Sequence, residues 1–148
     1  MVSYIYVGVV DRVIQFLPIF FFFCIEILGI MIWEKKHIKG IFVNVEHNVS
    51  QYADNVEFLL AGDRESFETN ITVIDNVGRK SGLYMNAGKT STFWLGSKRN
   101  SIVKYIKHLR MEWNQPQFKV LGIWFTNDLD NCEKKIYSEK FAEVKKCN

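Results

Sequence analysis

The residues with the clearest chemical potential are four consecutive ones, Tyr52, Ala53, Asp54 and Asn55. Asp and Asn tolerate the geometry of a tight connection between strands, so this stretch predicts a hairpin with Asp54 in its turn. Such a turn lifts a carboxylate out of a sheet, where a second carboxylate from a neighbouring strand can complete a site for divalent metal. Two such metals stabilise the attacking and leaving oxygens of a phosphoryl transfer. Asp and Asn at a turn more often do no more than form the turn.

A second group of residues has the charge needed to bind a nucleic-acid backbone. Basic and apolar side chains alternate over residues 103–111, and two further basic residues precede them. Such a row attracts phosphates, but a charged edge strand that avoids unwanted pairing has the same pattern, so both interpretations stay open. The net charge of +3 permits a nucleic-acid partner without requiring one. The basic residues are Lys98, Arg99, Lys104, Lys107, His108 and Arg110.

Apolar spacing predicts the elements that position these residues. Asp63 is a good N-cap for a helix whose apolar residues recur at spacings of four, three and three and which ends near Gly82. The hairpin strands are predicted at residues 47–52 and 56–61. The apolar face of the helix comprises Phe67, Ile71, Ile74 and Val77, and that of the second hairpin strand comprises Val56, Phe58 and Leu60. Further strands are predicted at residues 40–45, 89–95, 103–111 and 118–125, the last in the core with Phe118, Leu121, Ile123 and Phe125.

Residues 16–33 are almost wholly apolar, with Glu26 near their middle. At about 1.5 Å per residue a helix of this length just spans the ~30 Å hydrocarbon core of a bilayer. Lys35 and Lys36 follow the run, as they would at a cytoplasmic boundary. Against a membrane span, Glu26 at the bilayer centre would cost roughly 3 kcal/mol. Composition leaves a membrane helix and a buried helix equally open, and the helix itself is predicted over residues 18–36.

Four segments, in order, resemble the sequence boxes of reverse transcriptases from non-LTR retrotransposons. Residues 49–58 resemble the catalytic box, which normally reads Tyr-Ala-Asp-Asp inside a hydrophobic hairpin. Residues 82–90 resemble the next box, a Gly-Leu…Asn…Lys-Thr pattern, and residues 118–125 resemble the primer-grip strand with its Leu-Gly-Ile core. Upstream, residues 24–28 resemble the end of the helix that follows the family's Gly-Asp-Pro-Leu-Ser-Pro segment. The apolar run then resembles a degraded palm helix, which makes a membrane anchor the less favoured interpretation.

The resemblance implies an α+β fold, the partial palm of an RNA-directed DNA polymerase with a small antiparallel sheet and helices packed on one face. In that family the domain is a nucleotidyltransferase that extends a DNA primer on an RNA template with Mg²⁺. The resemblance makes Asp54 a metal-binding and catalytic carboxylate, Asn55 its catalytic neighbour, and Lys89 an acid near the leaving pyrophosphate. Lys89 fits an ordinary surface lysine equally well. Tyr52 would contact nucleic acid together with the basic residues.

Departures from the family pattern predict a catalytically incomplete chain. The second Asp of the family's hairpin is Asn55 here, and a neutral amide cannot supply the same charge to a pair of metals. Of the Gly-Asp-Pro-Leu-Ser-Pro segment only Pro18 remains. We expect the strand with the family's first metal-binding Asp, and the fingers that hold the nucleotide, to be missing. Mg²⁺ binding at Asp54 should therefore be weak or absent, and the chain alone should not polymerise.

The sequence is expected to form one partial reverse transcriptase domain. Residues 1–13 form a ragged extended arm, residues 14–125 the palm and primer-grip-like segment, and residues 126–148 a charged C-terminal helix. Two alternative functions stay open: a non-enzymatic nucleic-acid-binding remnant, and a single-pass membrane protein anchored by residues 16–33. The three cysteines lack metal-ligand spacing, which favours reduced thiols and an intracellular location in the nucleus or cytoplasm. An RNA template and a DNA primer are the partners that the resemblance implies, unless the chain has none.

Overall fold

A computed structural model describes residues 18–52, 55–106, 109–120, 123–126, 134 and 137–138. Over these residues the chain combines two helices with three small antiparallel sheets, which confirms the predicted α+β class. The chain divides into two compact units, Met1–Asn114 and Gln115–Asn148. The helices are α1 (Pro18–Trp33) and α2 (Arg64–Ser81), and the strands are β1 (Ile41–Val43), β2 (Val45–His47), β3 (Val49–Tyr52), β4 (Asn55–Phe58), β5 (Gln117–Val120) and β6 (Ile123–Thr126).

Helix α2 forms where its sequence signals predict. The Asp63 carboxylate accepts a hydrogen bond from the backbone N–H of Ser66 at 2.8 Å, which satisfies a free donor of the first turn. Gly82 ends the helix in the left-handed conformation with a φ of 77°, and its N–H donates to the carbonyl of Gly78. The predicted apolar face is confirmed: Phe67, Ile74 and Val77 are buried, and Ile71 packs half-buried against the same core.

Apart from the exposed Glu26, helix α1 is apolar on every side, and the fold buries one of those sides. Phe21, Ile25, Leu28 and Ile32 are buried in the core of the first unit, where α1 packs on α2 and β3. The helix ends at Trp33, somewhat earlier than the predicted residue 36. In the part of the chain that the structure describes, no helix combines the length and apolar character needed to cross a membrane.

The predicted hairpin is confirmed on both sides of its connection. Strands β3 and β4 pair antiparallel with Tyr52 opposite Asn55, and Leu59 extends the pairing through its N–H to the Asn48 carbonyl at 2.8 Å. The apolar face of the second strand points into the core, as predicted from its alternation. The buried residues of this face are Val56, Phe58 and Leu60.

Two segments that were each predicted to form one strand instead contain parts of two strands joined by a reversal. Residues 40–45 contain β1 and the first residue of β2, and the chain reverses between them at Asn44 because this residue adopts a positive φ of 65° that Asn tolerates better than most residues. Residues 118–125 contain most of β5 and β6, which pair with Phe118 opposite Phe125 and their rings stacked at 5.1 Å. The core prediction was wrong for Ile123 and Phe125, which are 50% and 40% exposed, because a two-stranded hairpin leaves one face uncovered. Leu121 lies outside the described residues.

Two further strand predictions were wrong because nearby side chains hold the chain in irregular conformations. Within residues 89–95 only Ser91 forms a bridge, to Glu112, and the consecutive residues Phe93 and Trp94 are both buried. Strand alternation would have exposed one of them. Residues 103–106 and 109–111 form no strand, because Tyr105 turns inward onto the ring of Phe67.

The predictions for the two ends of the chain fall mostly outside the described residues. The arm expected at residues 1–13 lies wholly outside them. Of the charged helix expected over residues 126–148, the structure describes Thr126, which ends β6, and Lys134, Tyr137 and Ser138, which are helical. Both predictions therefore stay predictions.

Candidate functional site

The β3–β4 hairpin presents its Tyr52 side chain to solvent. Tyr52 is 63% exposed at the end of β3, and Asn55, opposite it, is half-buried at the start of β4. Ala53 and Asp54 lie outside the described residues. Among the residues that the structure does describe, no group of three or more His, Cys, Asp or Glu side chains is placed to hold a metal ion. The metal-binding and catalytic roles of Asp54 stay predictions.

The hairpin rests on α1 through a side chain that reaches across to the helix backbone. The Gln51 Nε2 group donates to the carbonyl of Ile25 at 2.7 Å. Gly29 leaves room for this amide, since a Cβ there would come within 3.0 Å of the same nitrogen. The buried Val56 and Phe58 anchor the other strand in the core. The strands that flank the connection are therefore attached to the fold on both sides.

Glu57 is a carboxylate of the hairpin that the sequence analysis did not single out. It stands opposite Ser50 in the ladder, on the face of β4 that does not carry Val56 and Phe58. Burial raises the pKa of the Glu57 carboxyl, and a hydrogen bond from Ser50 lowers it in part. Alternation along β4 places Glu57 on the same face as Asn55, and this was the signal that could have identified it.

Polar side chains that are distant in sequence meet around Gly62. The Lys98 ammonium donates to the Gly62 carbonyl and lies 5.5 Å from the centre of the Trp94 ring. The Tyr105 hydroxyl donates to the same carbonyl at 2.6 Å. Arg64 donates to the backbone carbonyl of Tyr105 at 3.0 Å. We call this group of Gly62, Arg64, Lys98 and Tyr105, with the neighbours Arg99 and Lys104, the basic corner.

The predicted nucleic-acid-binding residues of the basic corner are of two kinds. Arg99 and Lys104 are exposed beside it, so their charges face solvent. Lys98 is half-buried and holds the Gly62 carbonyl, so its charge also serves the fold. Arg64 was missed because its sequence position marks it only as the first residue of α2. Lys107 and His108 lie outside the described residues.

Lys89 and Arg110 lie in two neighbouring segments away from that corner. The N–H of Glu112 donates to the Thr90 carbonyl at 3.1 Å, and a parallel bridge joins Ser91 to Glu112. Lys89 and Arg110 each precede this bridge by two residues, and both side chains are exposed.

Lys89 lies at the end of a 3₁₀ turn. The turn is explained by the residue types in segment 82–90, which resembles the second of the family's boxes. The Asn86 side-chain oxygen accepts from the backbone N–H groups of Gly88 at 3.0 Å and Lys89 at 3.2 Å. The Thr90 hydroxyl donates to the Asn86 carbonyl at 2.7 Å. Asn and Thr at these positions thus form a self-capped turn, and a role of Lys89 as an acid stays a prediction.

Strand β4 separates the hairpin connection from the basic corner. At about 3.4 Å per residue, Leu59 lies roughly 13 Å from Asn55, and Gly62 follows three residues later. A scan of the sequence against protein-family models finds no match.

Proposed function

We propose that the chain is a degraded palm segment of an RNA-directed DNA polymerase that cannot polymerise by itself. The observation that carries the proposal is the antiparallel pairing of β3 and β4 with Tyr52 opposite Asn55. In this register only Ala53 and Asp54 connect the strands, which is the tight connection that a catalytic box of this kind requires. The proposal implies an RNA template and a DNA primer as ancestral partners, and a nuclear or cytoplasmic location.

The chemistry of the hairpin supports the second half of the proposal. Two-metal catalysis needs several carboxylates around the ions. The family-type position after Asp54 is the neutral Asn55, and Glu57 two residues further has its pKa raised by burial, which disfavours its charged form. Asp54 alone would bind Mg²⁺ weakly at best.

Primer extension tests the proposal directly. Purified chain is incubated with a primed RNA template, deoxynucleotides and either Mg²⁺ or Mn²⁺, beside an Asp54→Ala variant. We expect both proteins to extend the primer equally little. Extension by the unmodified chain above the Asp54→Ala background would contradict the inactivity, and would show that Asp54 still organises a working site.

A second candidate function, non-enzymatic binding of a nucleic-acid backbone, is favoured by the basic corner. Lys98 and Tyr105 both donate to the Gly62 carbonyl, and Arg64 donates to the Tyr105 carbonyl. The exposed Arg99 and Lys104 are neighbours of these residues in the chain. Convergent cations neutralise phosphates and release counterions, so binding should weaken steeply with salt and show little sequence preference.

Salt titration with a fluorescent single strand distinguishes this candidate from a charged surface without a ligand. Each phosphate contact removed should lower the slope of log affinity against log salt by about 0.7 to 1. Arg99→Gln with Lys104→Gln should therefore flatten the slope by about 1.5 to 2. Lys35→Gln with Lys36→Gln removes the same charge just after α1 and is the matched control. Equal slopes for the two double variants would reject the basic corner as a binding site.

A further inference from the structure

Residues 96–104 form a loop that is rich in basic side chains and open to solvent. The loop begins with a 3₁₀ turn at Gly96–Lys98, and residues 101–104 belong to no helix or strand. The side chains at positions 99, 100 and 102–104 are exposed, and Ile102 among them is 90% exposed. Another protein can therefore reach this stretch of chain while the core stays folded.

Ser101 lies in the middle of this loop and is held there by short-range bonds. Its half-buried hydroxyl accepts a hydrogen bond from the Val103 N–H at 3.2 Å, and its own N–H donates to the Lys98 carbonyl at 2.7 Å. Bonds of this kind contribute about 0.5–1.5 kcal/mol each. Because both bonds are made within the loop, a partner can replace them without disturbing the rest of the fold.

The side chains that flank Ser101 match those that a basic-directed serine kinase recognises, that is, a kinase whose carboxylates pair with cations shortly before the target serine. The residues three and two positions before it are Lys98 and Arg99, and the residue after it is the exposed, apolar Ile102. Arg99 is exposed and can pair with a carboxylate directly. Lys98 donates to the Gly62 carbonyl, so recognition rests chiefly on Arg99.

A second serine also follows two basic residues but lies in a helix. Ser81 comes directly after Arg79 and Lys80. It is the last residue of α2, and its hydroxyl donates to the Val77 carbonyl at 2.8 Å. A kinase binds its target in an extended form, which a helix adopts only by breaking its backbone hydrogen bonds. The fold therefore distinguishes Ser101 from a serine with similar basic neighbours.

We propose that Ser101 is a phosphorylation site for a basic-directed serine kinase, and that the phosphate weakens nucleic-acid binding by the basic corner, an effect that rests on the binding function proposed above. The Ser101 hydroxyl oxygen forms a bond to the γ-phosphorus of ATP as the bond from that phosphorus to the bridging oxygen breaks. ADP leaves with the electron pair of that bond, and the hydroxyl proton passes to a base of the kinase. A phosphoserine carries about −1.5 to −2 charges at pH 7, which offsets the exposed Arg99 and Lys104.

Treatment of the folded chain with the catalytic subunit of a cyclic-AMP-dependent protein kinase and Mg-ATP tests the site. Mass spectrometry of the digested protein should find a phosphoryl group on Ser101 and none on Ser81. Ser101→Ala should lose this group, Arg99→Gln should slow its addition at least about tenfold, and Ser81→Ala is the matched control with an unchanged rate. An unmodified Ser101, or phosphorylation of Ser81 at an equal rate, overturns the proposal.

Salt titration of the phosphorylated chain with a fluorescent single strand tests the effect on binding. The slope of log affinity against log salt should flatten by about 1.5 to 2, relative to chain treated with kinase but without ATP. Equal slopes overturn the effect of the phosphate. If the untreated chain does not bind the strand at all, the binding function fails and this effect fails with it, whereas the mass of the digested protein still decides whether Ser101 is the phosphorylation site.

Discussion

The two helices of the first unit differ in how much of their placement their own residues encode. Helix α2 has one apolar face, a capping Asp63 and a terminating Gly82, so its ends and its buried side follow from local chemistry. Helix α1 is apolar all round and has neither an acidic first turn nor a basic last turn. Its packing against α2 and β3 determines which of its sides is buried. The sequence of an amphipathic helix thus specifies which side faces the core. For a helix that is apolar all round, the packing of neighbouring elements decides this, and a second apolar side is left uncovered.

The sharpest test of this comparison replaces one phenylalanine on each helix. Phe67 of α2 is fully buried, with its ring 5.3 Å from that of Trp113 and 5.7 Å from that of Tyr105. Phe67→Ala should lower the free energy of unfolding by about 3–5 kcal/mol. Phe23→Ala on α1, where the side chain is 64% exposed, should change it by less than about 0.5 kcal/mol. Urea denaturation measures both, and equal losses would refute the difference between the helices.

A second test concerns the connection from α1 to α2. The buried Ser66 hydroxyl accepts from the Lys39 N–H at 3.0 Å, and lies within bonding distance of the His37 carbonyl at 3.1 Å and the Asp63 carboxylate at 2.8 Å. Ser66→Ala leaves these groups without that partner and should cost about 2 kcal/mol.

Thr72→Ala is the matched control on the same helix. The exposed Thr72 hydroxyl donates to the Glu68 carbonyl at 2.8 Å, and its removal should cost less than about 0.5 kcal/mol because water replaces the bond. Similar losses for Ser66→Ala and Thr72→Ala in thermal denaturation would show that the connection contributes no more than a surface bond.

A third test removes a polar group from the buried side of α2. Asn70 is fully buried, and within the described part of the chain neither its side-chain oxygen nor its nitrogen has a hydrogen-bond partner. Leu has the same branching without the polar atoms, so Asn70→Leu should raise the free energy of unfolding by about 1–2 kcal/mol. Asn76→Leu, where the amide accepts from Arg79 at 2.7 Å, should not stabilise the chain. A loss of stability in Asn70→Leu would mean that the amide is satisfied in solution or that the site cannot hold the larger side chain.

The smallest effect is expected where the basic corner meets α2. Tyr105→Phe removes the hydroxyl that donates to Gly62 and should cost about 1 kcal/mol at neutral pH. Burial raises the pKa of the Tyr105 hydroxyl, the Asp63 carboxylate raises it further, and Arg64 lowers it in part. Because the pKa in the folded chain lies above the unfolded value of about 10, the folded state holds its proton more tightly. This contribution is present below about pH 10 and is lost as pH rises through the folded pKa.

Stability measured across that alkaline range tests the direction of the shift. The unmodified chain should lose stability more steeply above about pH 10 than Tyr105→Phe does. Identical slopes for the two proteins would mean that the Tyr105 hydroxyl has the same proton affinity in the folded and unfolded states.

The elements that sequence reasoning predicted correctly have local causes. Asp63 and Gly82 bound α2 through hydrogen bonds within a few residues of themselves. The β3–β4 hairpin follows from turn-forming residues between two short runs, one of which alternates. The wrong strand predictions failed where a reversal or an inward side chain competed with strand propensity. Asn44 turns the chain with a positive φ, and Tyr105 packs on Phe67 from a segment expected to form an exposed strand.

The residues of the candidate site also include some that the sequence points to and others that only the fold brings together. Tyr52, Asn55 and Lys89 became candidates from the sequence because their neighbours resemble known boxes, and their roles stay predictions. The basic corner could not be identified in this way, because Gly62 meets Lys98 and Tyr105 across 36 and 43 residues of chain. Glu57 lay within the hairpin, but only the pairing of β3 and β4 placed it opposite Ser50.

By itself, the sequence determined the α+β class, the limits of α2 and the hairpin around Tyr52, since capping, periodicity and turn formation act over a few residues. Tertiary structure alone decided which side of α1 is buried, because a helix that is apolar all round has no preferred side until another element packs on it. It also decided that Lys98 and Arg64 converge at one corner, since a contact between distant residues depends on how every intervening element is placed.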